Sequence, residues 1–248
     1  MESSVTVPWR VDHLRFTVFK DLGPPEPEKG WATVLSTPPD TVTNNLKQLQ
    51  LTQAGTFETG QLQVVQSATR VDILWNAPVI GAELRDGLGR LDVALEKFAQ
   101  IIEKFLREFA PSVGYDRIAQ GALLHAPAES REDGYRILDG LLPSVNLDPG
   151  SQDFTYTINR PRDSKVVSDL RINRLSKWLC AMWHQSVASG GTVNPIGNPI
   201  FTCTLETDIS TAHTASEKVR GLSVDELCAL WQEFARLNVE LAEKGDVP

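Results

Sequence analysis

The sequence contains few cysteines and no long apolar run, and both absences restrict the class of protein. Cys180, Cys203 and Cys228 are its three cysteines, and none lies in a Cys-x-x-Cys spacing. An odd, sparse set argues against a disulfide framework and a structural zinc site, so we expect a cytoplasmic setting. No stretch approaches about eighteen apolar residues, and residues 1–9 lack the apolar region of a signal peptide. We therefore expect no membrane association.

Motifs of nucleotide binding and of nucleophilic catalysis are also missing. There is no P-loop, no Gly-x-Gly-x-x-Gly and no Gly-x-Ser-x-Gly. The histidines lie at positions 13, 125, 184 and 213 and form no local catalytic pattern, although triads converge in space rather than in sequence. We therefore expect no cofactor, and the sequence favours binding over catalysis.

Length and charge set the outer limits. The chain has 248 residues, of which 41% are hydrophobic, so a sizeable core is expected. We treat 1–248 as one globular unit, with 1–146 and 151–248 as candidate sub-lobes on either side of a turn. The net charge of −8 repels nucleic acids and anionic membranes at long range.

Two long amphipathic helices are the clearest elements. Over residues 88–109, large apolar residues recur at steps of four and three, and Pro111 ends the pattern. Ser223 and Glu226 form a capping-box sequence that begins a helix running to about 244, before Gly245. Such stripes usually cover a sheet. The alternative is that such a stripe forms the interface of a dimer, so a homo-oligomer is also compatible with the sequence.

Alternation of apolar and polar residues predicts strands around these helices. The predicted strands are 9–20, 61–75 (as two strands or one bent strand), 115–126, 154–158, 166–173 and 200–211. Residues 174–187 fit both a helix and a strand, and we prefer a strand because strands surround them. Shorter helices are predicted over 37–49 and 130–142, and a loop over 188–199.

These elements predict an α+β fold. We expect an antiparallel or mixed sheet with long amphipathic helices packed on one face. Each half contains several strands and ends near a long helix, so two halves of similar shape are a further expectation.

The segment from Gln61 to Phe109 resembles part of a bacterial family. It contains LQVVQSATRVDILWNAP followed by LGRLDVALEKFAQIIEKFL, and the later strand FTCTLETDIST resembles the end of the same family. That family is sporadically distributed, uncharacterised and similar in length to this chain, and the resemblance covers about half of the sequence. It implies a bacterial or phage-related setting. It brings no activity and no site residue.

The largest local anomaly of charge is a basic cluster in the second half. Its members are Arg160, Arg162, Lys165, Arg171, Arg174 and Lys177, opposed only by Asp163 and Asp169. Guanidinium groups suit phosphate and carboxylate geometry, so the cluster predicts a surface that binds an anionic ligand or a protein. The alternative is a solvated hairpin whose charges pair with acids elsewhere in the fold.

Two smaller sets carry weaker indications of chemistry. Glu206 and Asp208 are two residues apart on a strand, so they project from one face about 6–7 Å apart, which suits a metal or acid–base chemistry. The alternative is the polar outer face of an edge strand. Cys180 and His184 share a face in either helix or strand, but two ligands do not complete a zinc site.

The sequence therefore predicts a non-enzymatic binding or accessory protein that recognises a protein or an anionic ligand, in bacterial defence, immunity or regulation. One alternative is a metal-dependent or acid–base enzyme with a cleft near Glu206 and Asp208. The other is nucleic-acid binding through the basic hairpin 160–177, which the net charge makes less favourable. The enzyme gains support if the basic cluster and the two carboxylates line a common cleft.

Overall fold

Ten strands and three helices make up the described part of the chain. The computed structural model describes residues 7–26, 30–78, 86–109, 117–148, 150–189, 192–212 and 221–247, with the backbone alone over 183–189 and 192–198. The strands are β1 (Arg10–Phe19), β2 (Thr41–Asn45), β3 (Gln50–Phe57), β4 (Gly60–Gln66), β5 (Arg70–Asn76), β6 (Arg117–Ala128), β7 (Thr155–Asn159), β8 (Arg162–Asp163), β9 (Arg171–Ser189) and β10 (Thr192–Thr211). The helices are α1 (Leu91–Phe109), α2 (Arg131–Asp139) and α3 (Val224–Lys244), and a 3₁₀ turn covers Trp31–Thr33.

All ten strands belong to one antiparallel sheet. Its order is β2-β3-β4-β5-β1-β6-β10-β9-β7, and β8 pairs with the start of β9. The sheet is continuous across the two halves of the sequence, because β6 hydrogen-bonds to β1 on one side and to β10 on the other. The mixed α+β class and the antiparallel alternative for the sheet are therefore confirmed.

The core forms where alternating apolar residues of neighbouring strands lie opposite one another. Leu14 pairs with Trp75, Phe16 with Ile73 and Val18 with Val71. All six side chains are at most 1% exposed. One side of β1 and β5 is thus fully buried, which is what the alternation in both segments predicted.

Aromatic rings connect this part of the sheet to the two long helices. Trp75 stacks on Phe98 of α1 with ring centroids 6.3 Å apart. Phe98 packs edge-on against Trp231 of α3 at 5.7 Å, and Trp231 packs against Phe16 at 5.4 Å. The large apolar side chains of the predicted stripes therefore form one core with the sheet.

Within the described residues, no helix combines the length and the hydrophobicity needed to cross a membrane.

The ends of α3 follow the local chemistry of the sequence. The Ser223 side chain accepts from the backbone N–H of Glu226 and the Glu226 carboxylate accepts from that of Ser223, so the predicted capping box is confirmed. Gly245 has a positive φ of 72° after the helix, and its N–H donates to the Leu241 carbonyl oxygen in the last turn.

The short helix predicted over 37–49 is wrong. This segment forms β2 and the turn that leads into β3. Val42, Leu46 and Leu49 have the helical spacing, but each is more than half exposed, so no buried face rewards a helix. The β-branched residues at the start of Thr41–Asn45 favour an extended backbone, and β2 forms an edge of the sheet.

Two boundaries in the second half also differ from the prediction. The strand predicted over 166–173 begins only at Arg171. The loop predicted over 188–199 is replaced by strand, since β9 continues to Ser189 and β10 begins at Thr192, while residues 190 and 191 lie outside the described part of the chain. The register of β10 shifts between Ile196 and Ile200, so Pro199 falls at an irregularity where a ladder N–H is not required. The preferred strand over 174–187 is confirmed.

Candidate functional site

The basic cluster is largely engaged with acids of the same chain. Arg160 donates to Asp246 from Nε at 2.6 Å and from Nη2 at 2.8 Å, just after α3. Arg162 Nη1 lies 3.1 Å from Glu240 Oε2, within α3. Both arginine side chains are about three-quarters buried. These ion pairs are of the kind expected from the alternative in which the cluster pairs with acids elsewhere in the fold.

Arg174 is the most buried member of the cluster. Its side chain is 1% exposed, with Nη1 3.8 Å from Glu240, and it donates through Nη2 to the Val247 carbonyl. Burial lowers the pKa of Arg174, and the neighbouring positive charge of Arg162 lowers it further. Because its guanidinium group is enclosed, Arg174 is not available to a partner, and a change at this position acts on folding.

The other three members lie in different surroundings. Lys165 is exposed, and its backbone N–H donates to Glu233 Oε1 at 2.8 Å. Arg171 is exposed opposite Asp163 in the short β8–β9 pairing. Lys177 lies further along β9. The six residues therefore do not form one continuous basic surface, and ligand binding by them stays a prediction.

Glu206 and Asp208 lie on one face of β10, as their spacing predicted, and both are ion-paired. Glu206 Oε2 is 3.8 Å from Lys177 Nζ, and Asp208 Oδ2 accepts from Arg15 Nη2 at 2.8 Å. The expectation of an edge strand is wrong, since β10 lies between β6 and β9 in the interior of the sheet. Both residues therefore lie on a face of the sheet with strands on either side of them.

The basic cluster is divided between the two faces of the sheet, and the two carboxylates share a face with only part of it. Lys177 pairs with Glu206 across the β9–β10 ladder, whereas Arg174 pairs with Ile209. Successive residues of a strand point to opposite faces, so Lys177 lies with the carboxylates and Arg174 lies on the other face with the core. The condition that would have favoured an enzyme is therefore not met.

Gly121, which has no side chain, allows Arg15 to reach Asp208. Both residues pair with Gly121 of β6, from β1 on one side and from β10 on the other. A Cβ at Gly121 would lie 3.3 Å from Arg15 Nε and Nη2. Arg15 thus reaches across β6 to Asp208 over a backbone that carries no side chain.

Five residues around this ion pair form what we call the polar patch. Its members are Arg15, Leu175, Lys177, Glu206 and Asp208, from β1, β9 and β10. Asp208 and Leu175 are opposed in register, as are Glu206 and Lys177. Leu175 is 38% exposed, which is unusual for a large aliphatic side chain in the interior of a sheet. The patch therefore combines two positive charges, two negative charges and an exposed apolar group.

A β-bulge in β1 places two histidines beside the polar patch. The register shifts between Val11 and His13, and Asp12 lies at the shift. His13 Nδ1 is 2.7 Å from Asn76 Oδ1, and His125 Nδ1 is 2.7 Å from Asp12 Oδ1. Burial lowers the pKa of His13, so this ring is neutral at neutral pH.

A cleft lies beside α2. Its volume is about 360 Å³, and its lining includes Arg131, Tyr135, Cys180, Met182 and Phe201. The side chain of His184, the predicted partner of Cys180, lies outside the described residues. Among those that are described, no cluster of three or more His, Cys, Asp and Glu side chains is placed to hold a metal ion.

Replacing Gly121 with valine is expected to uncouple Arg15 from Asp208. The branched side chain would occupy the space through which the guanidinium group crosses β6. A double-mutant cycle with Arg15→Ala and Asp208→Ala should give a coupling of about 0.5 kcal/mol in the Gly121 protein and none in the Gly121→Val background. The same coupling in both backgrounds would show that Arg15 reaches Asp208 by another route.

Comparison with protein-family models, with curated proteins and with solved structures gives no match to this chain.

Proposed function

We propose that this protein is a non-enzymatic binding protein that recognises a protein partner through the polar patch, in bacterial defence, immunity or regulation. The observation that carries the proposal is the composition of the polar patch. Charges of both signs surround exposed Leu175 in the interior of a large sheet. Protein interfaces combine an apolar centre with polar groups whose charges complement those of the partner.

The proposal includes the expectation that the long helices pack on the opposite face of the sheet. Thr207 lies between Glu206 and Asp208, and its hydroxyl donates to Asn238 of α3. Phe16 follows Arg15 in β1 and packs against α3 through Trp231. Because neighbours in a strand point to opposite faces, these contacts support a polar patch directed away from α3.

The charges of the polar patch favour a protein over a simple anion. A phosphate or carboxylate placed on Arg15 or Lys177 also meets the negative charge of Asp208 or Glu206. A nucleic acid needs an excess of positive charge along its path, and the polar patch has none. A protein surface can present a negative group to Arg15 and a positive group to Glu206 in the same encounter.

The ion pairs also bear on the enzyme alternative. A carboxylate that acts as a general base or as a metal ligand must be free to engage a proton or a metal. Glu206 and Asp208 are instead held by Lys177 and Arg15. Their engagement supports a role in a charge pattern for recognition.

Panning a phage-displayed random peptide library tests the proposal. Clones selected on the wild-type protein are expected to bind a Leu175→Asp/Glu206→Lys variant at least about tenfold more weakly, a loss of roughly 1.4 kcal/mol. The matched control is Val93→Asp/Glu96→Lys, which makes the same kinds of change at exposed positions of α1. The selected clones should bind this control as well as they bind the wild type.

Other outcomes assign the function elsewhere. Clones that bind the patch variant as tightly as the wild type would refute the polar patch as the recognition surface. A parallel selection with a random oligonucleotide library covers the nucleic-acid alternative. Enrichment there, lost in a Lys165→Glu/Arg171→Glu variant and weakened steeply by salt, would replace the present proposal with nucleic-acid binding through the basic hairpin.

A further inference from the structure

Two cysteines from neighbouring strands face each other beneath α2. Cys180 of β9 and Cys203 of β10 are directly opposed in the antiparallel register. Both are free thiols, Cys203 is fully buried and Cys180 is partly exposed in the cleft beside α2. The two residues therefore form a cross-strand dithiol with one accessible sulfur and one protected sulfur.

The backbone geometry of this pair fits a disulfide bond. Opposed residues of an antiparallel ladder have Cα atoms about 4.5–5.5 Å apart, within the range of roughly 4.4–6.8 Å that a disulfide spans. The two thiols are close enough for each to shift the pKa of the other. Closing the bond thus requires side-chain rotation and no separation of the strands.

Gly134 of α2 makes room for the dithiol. A Cβ at this position would overlap Cys180 Sγ and would lie 3.4 Å from Cys203 Sγ. Cys203 Sγ also donates to the Gly134 carbonyl oxygen at 3.3 Å. The absence of a side chain at Gly134 therefore leaves the space that the Cys180 sulfur occupies.

The surroundings make the two thiols unequal. The hydrogen bond with Cys203 lowers the pKa of Cys180, and the positive charge of Arg131 on the cleft wall favours the thiolate against the effect of burial. The same hydrogen bond and burial raise the pKa of Cys203 well above its usual range. Cys180 is thus the first to ionise and the one that a reagent in the cleft reaches, while Cys203 keeps its proton.

We propose that Cys180 and Cys203 are a peroxide-reactive dithiol that closes to a cross-strand disulfide. The Cys180 thiolate attacks one oxygen of the peroxide, the O–O bond breaks, and the leaving hydroxide takes up a proton to become water. Cys180 is thereby oxidised by two electrons to the sulfenic acid. Cys203 sulfur then attacks Cys180 sulfur, the S–O bond breaks, and the released hydroxide leaves as water with the Cys203 proton.

Oxidation of the reduced protein with hydrogen peroxide tests this proposal. Intact-mass measurement should show the loss of two hydrogen atoms, and peptide mapping should find Cys180 joined to Cys203, while Cys228 remains alkylatable after unfolding. Cys228 is a matched internal control, because it is buried and burial raises its pKa. Its replacement by serine should leave peroxide consumption unchanged.

Two further variants separate the roles of the thiols. Cys180→Ser should reduce the rate of peroxide consumption at least about tenfold, because the accessible thiolate is gone. Cys203→Ser should accumulate the sulfenic acid on Cys180, trapped as a dimedone adduct. Wild-type protein in which both thiols stay reduced, or in which Cys180 proceeds to the sulfinic acid with no bond to Cys203, would overturn the proposal. Peptide mapping of the wild type decides this point even if a serine variant does not fold.

Discussion

Replacing Asp246 with asparagine is expected to destabilise the protein by about 3 kcal/mol, at the low end of the cost of breaking a buried ion pair. Asp246 is 1% exposed and accepts hydrogen bonds from Tyr156 and Arg160. Asparagine keeps the shape of the side chain but removes the charge. Arg160 then loses its acidic partner, and buried Arg174 loses one of the two negative charges near it. Urea unfolding followed by far-UV circular dichroism measures the loss.

The effect of this substitution should depend on pH in a defined direction. Burial alone would raise the pKa of Asp246, but hydrogen bonds from Arg160 and Tyr156 outweigh it, and the pKa lies below its ordinary value. The stabilisation is therefore fully present above the unfolded pKa of about 3.9 and is lost as the pH falls from there through the folded pKa. The difference between wild type and variant should narrow below about pH 4.

An exposed carboxylate supplies the control. Asp92 is paired with Arg90 on the surface, and its side chain is 54% exposed. Asp92→Asn should change the stability much less than the substitution at Asp246. A loss below about 1 kcal/mol for Asp246→Asn would place this ion pair among solvated surface pairs, and Arg160 would then be available to an anionic ligand.

The ion pairs of the basic cluster explain why the sequence alone shows it as an excess of positive charge. Arg160 is bound by an acid 86 positions later, and Arg162 by one 78 positions later. A local charge count cannot include acids at such separations, because only the fold brings them within hydrogen-bond distance. The general interpretation of charge runs indicated pairing or solvation, but nothing in the sequence identified Asp246 and Glu240 as the partners.

Elements with a strong local pattern were predictable. The stripe over 88–109 and the capping box at Ser223 are complete within one segment, and α1 and α3 form where they were expected. The alternation in β1 also indicated that Arg15 points away from Leu14 and Phe16. Periodicity and capping act over a few residues, so the sequence alone contains this information.

The polar patch could not be predicted from the sequence in the same way. Its Arg15–Asp208 ion pair requires β1, β6 and β10 to be neighbours in a register that aligns both residues with Gly121. Alternation gives the face of each side chain but not which strands are adjacent. The prediction of Glu206 and Asp208 as a pair was therefore limited to their common face, and it gave no indication of Arg15 or Leu175.

Trp231→Ala is expected to destabilise the protein by about 3–5 kcal/mol. The ring is 1% exposed and packs edge-on against Phe16 of β1 and Phe98 of α1. Its removal leaves a cavity where two helices meet the sheet, and each aromatic pair loses about 0.5–1.5 kcal/mol beyond the area term. Far-UV circular dichroism is the appropriate probe, since the substitution also removes a fluorophore.

The same variant relates the core to the proposed recognition surface. Phe16 is adjacent to Arg15 in β1, so the strand that contacts Trp231 also positions an ion pair of the polar patch. The matched control is Val93→Ala on α1, where the side chain is 44% exposed and a change within about 0.5 kcal/mol is expected. A loss below about 1.5 kcal/mol for Trp231→Ala would contradict the role of this ring as the link between α1, α3 and β1. So small a loss would mean that the neighbouring side chains fill the cavity with little rearrangement.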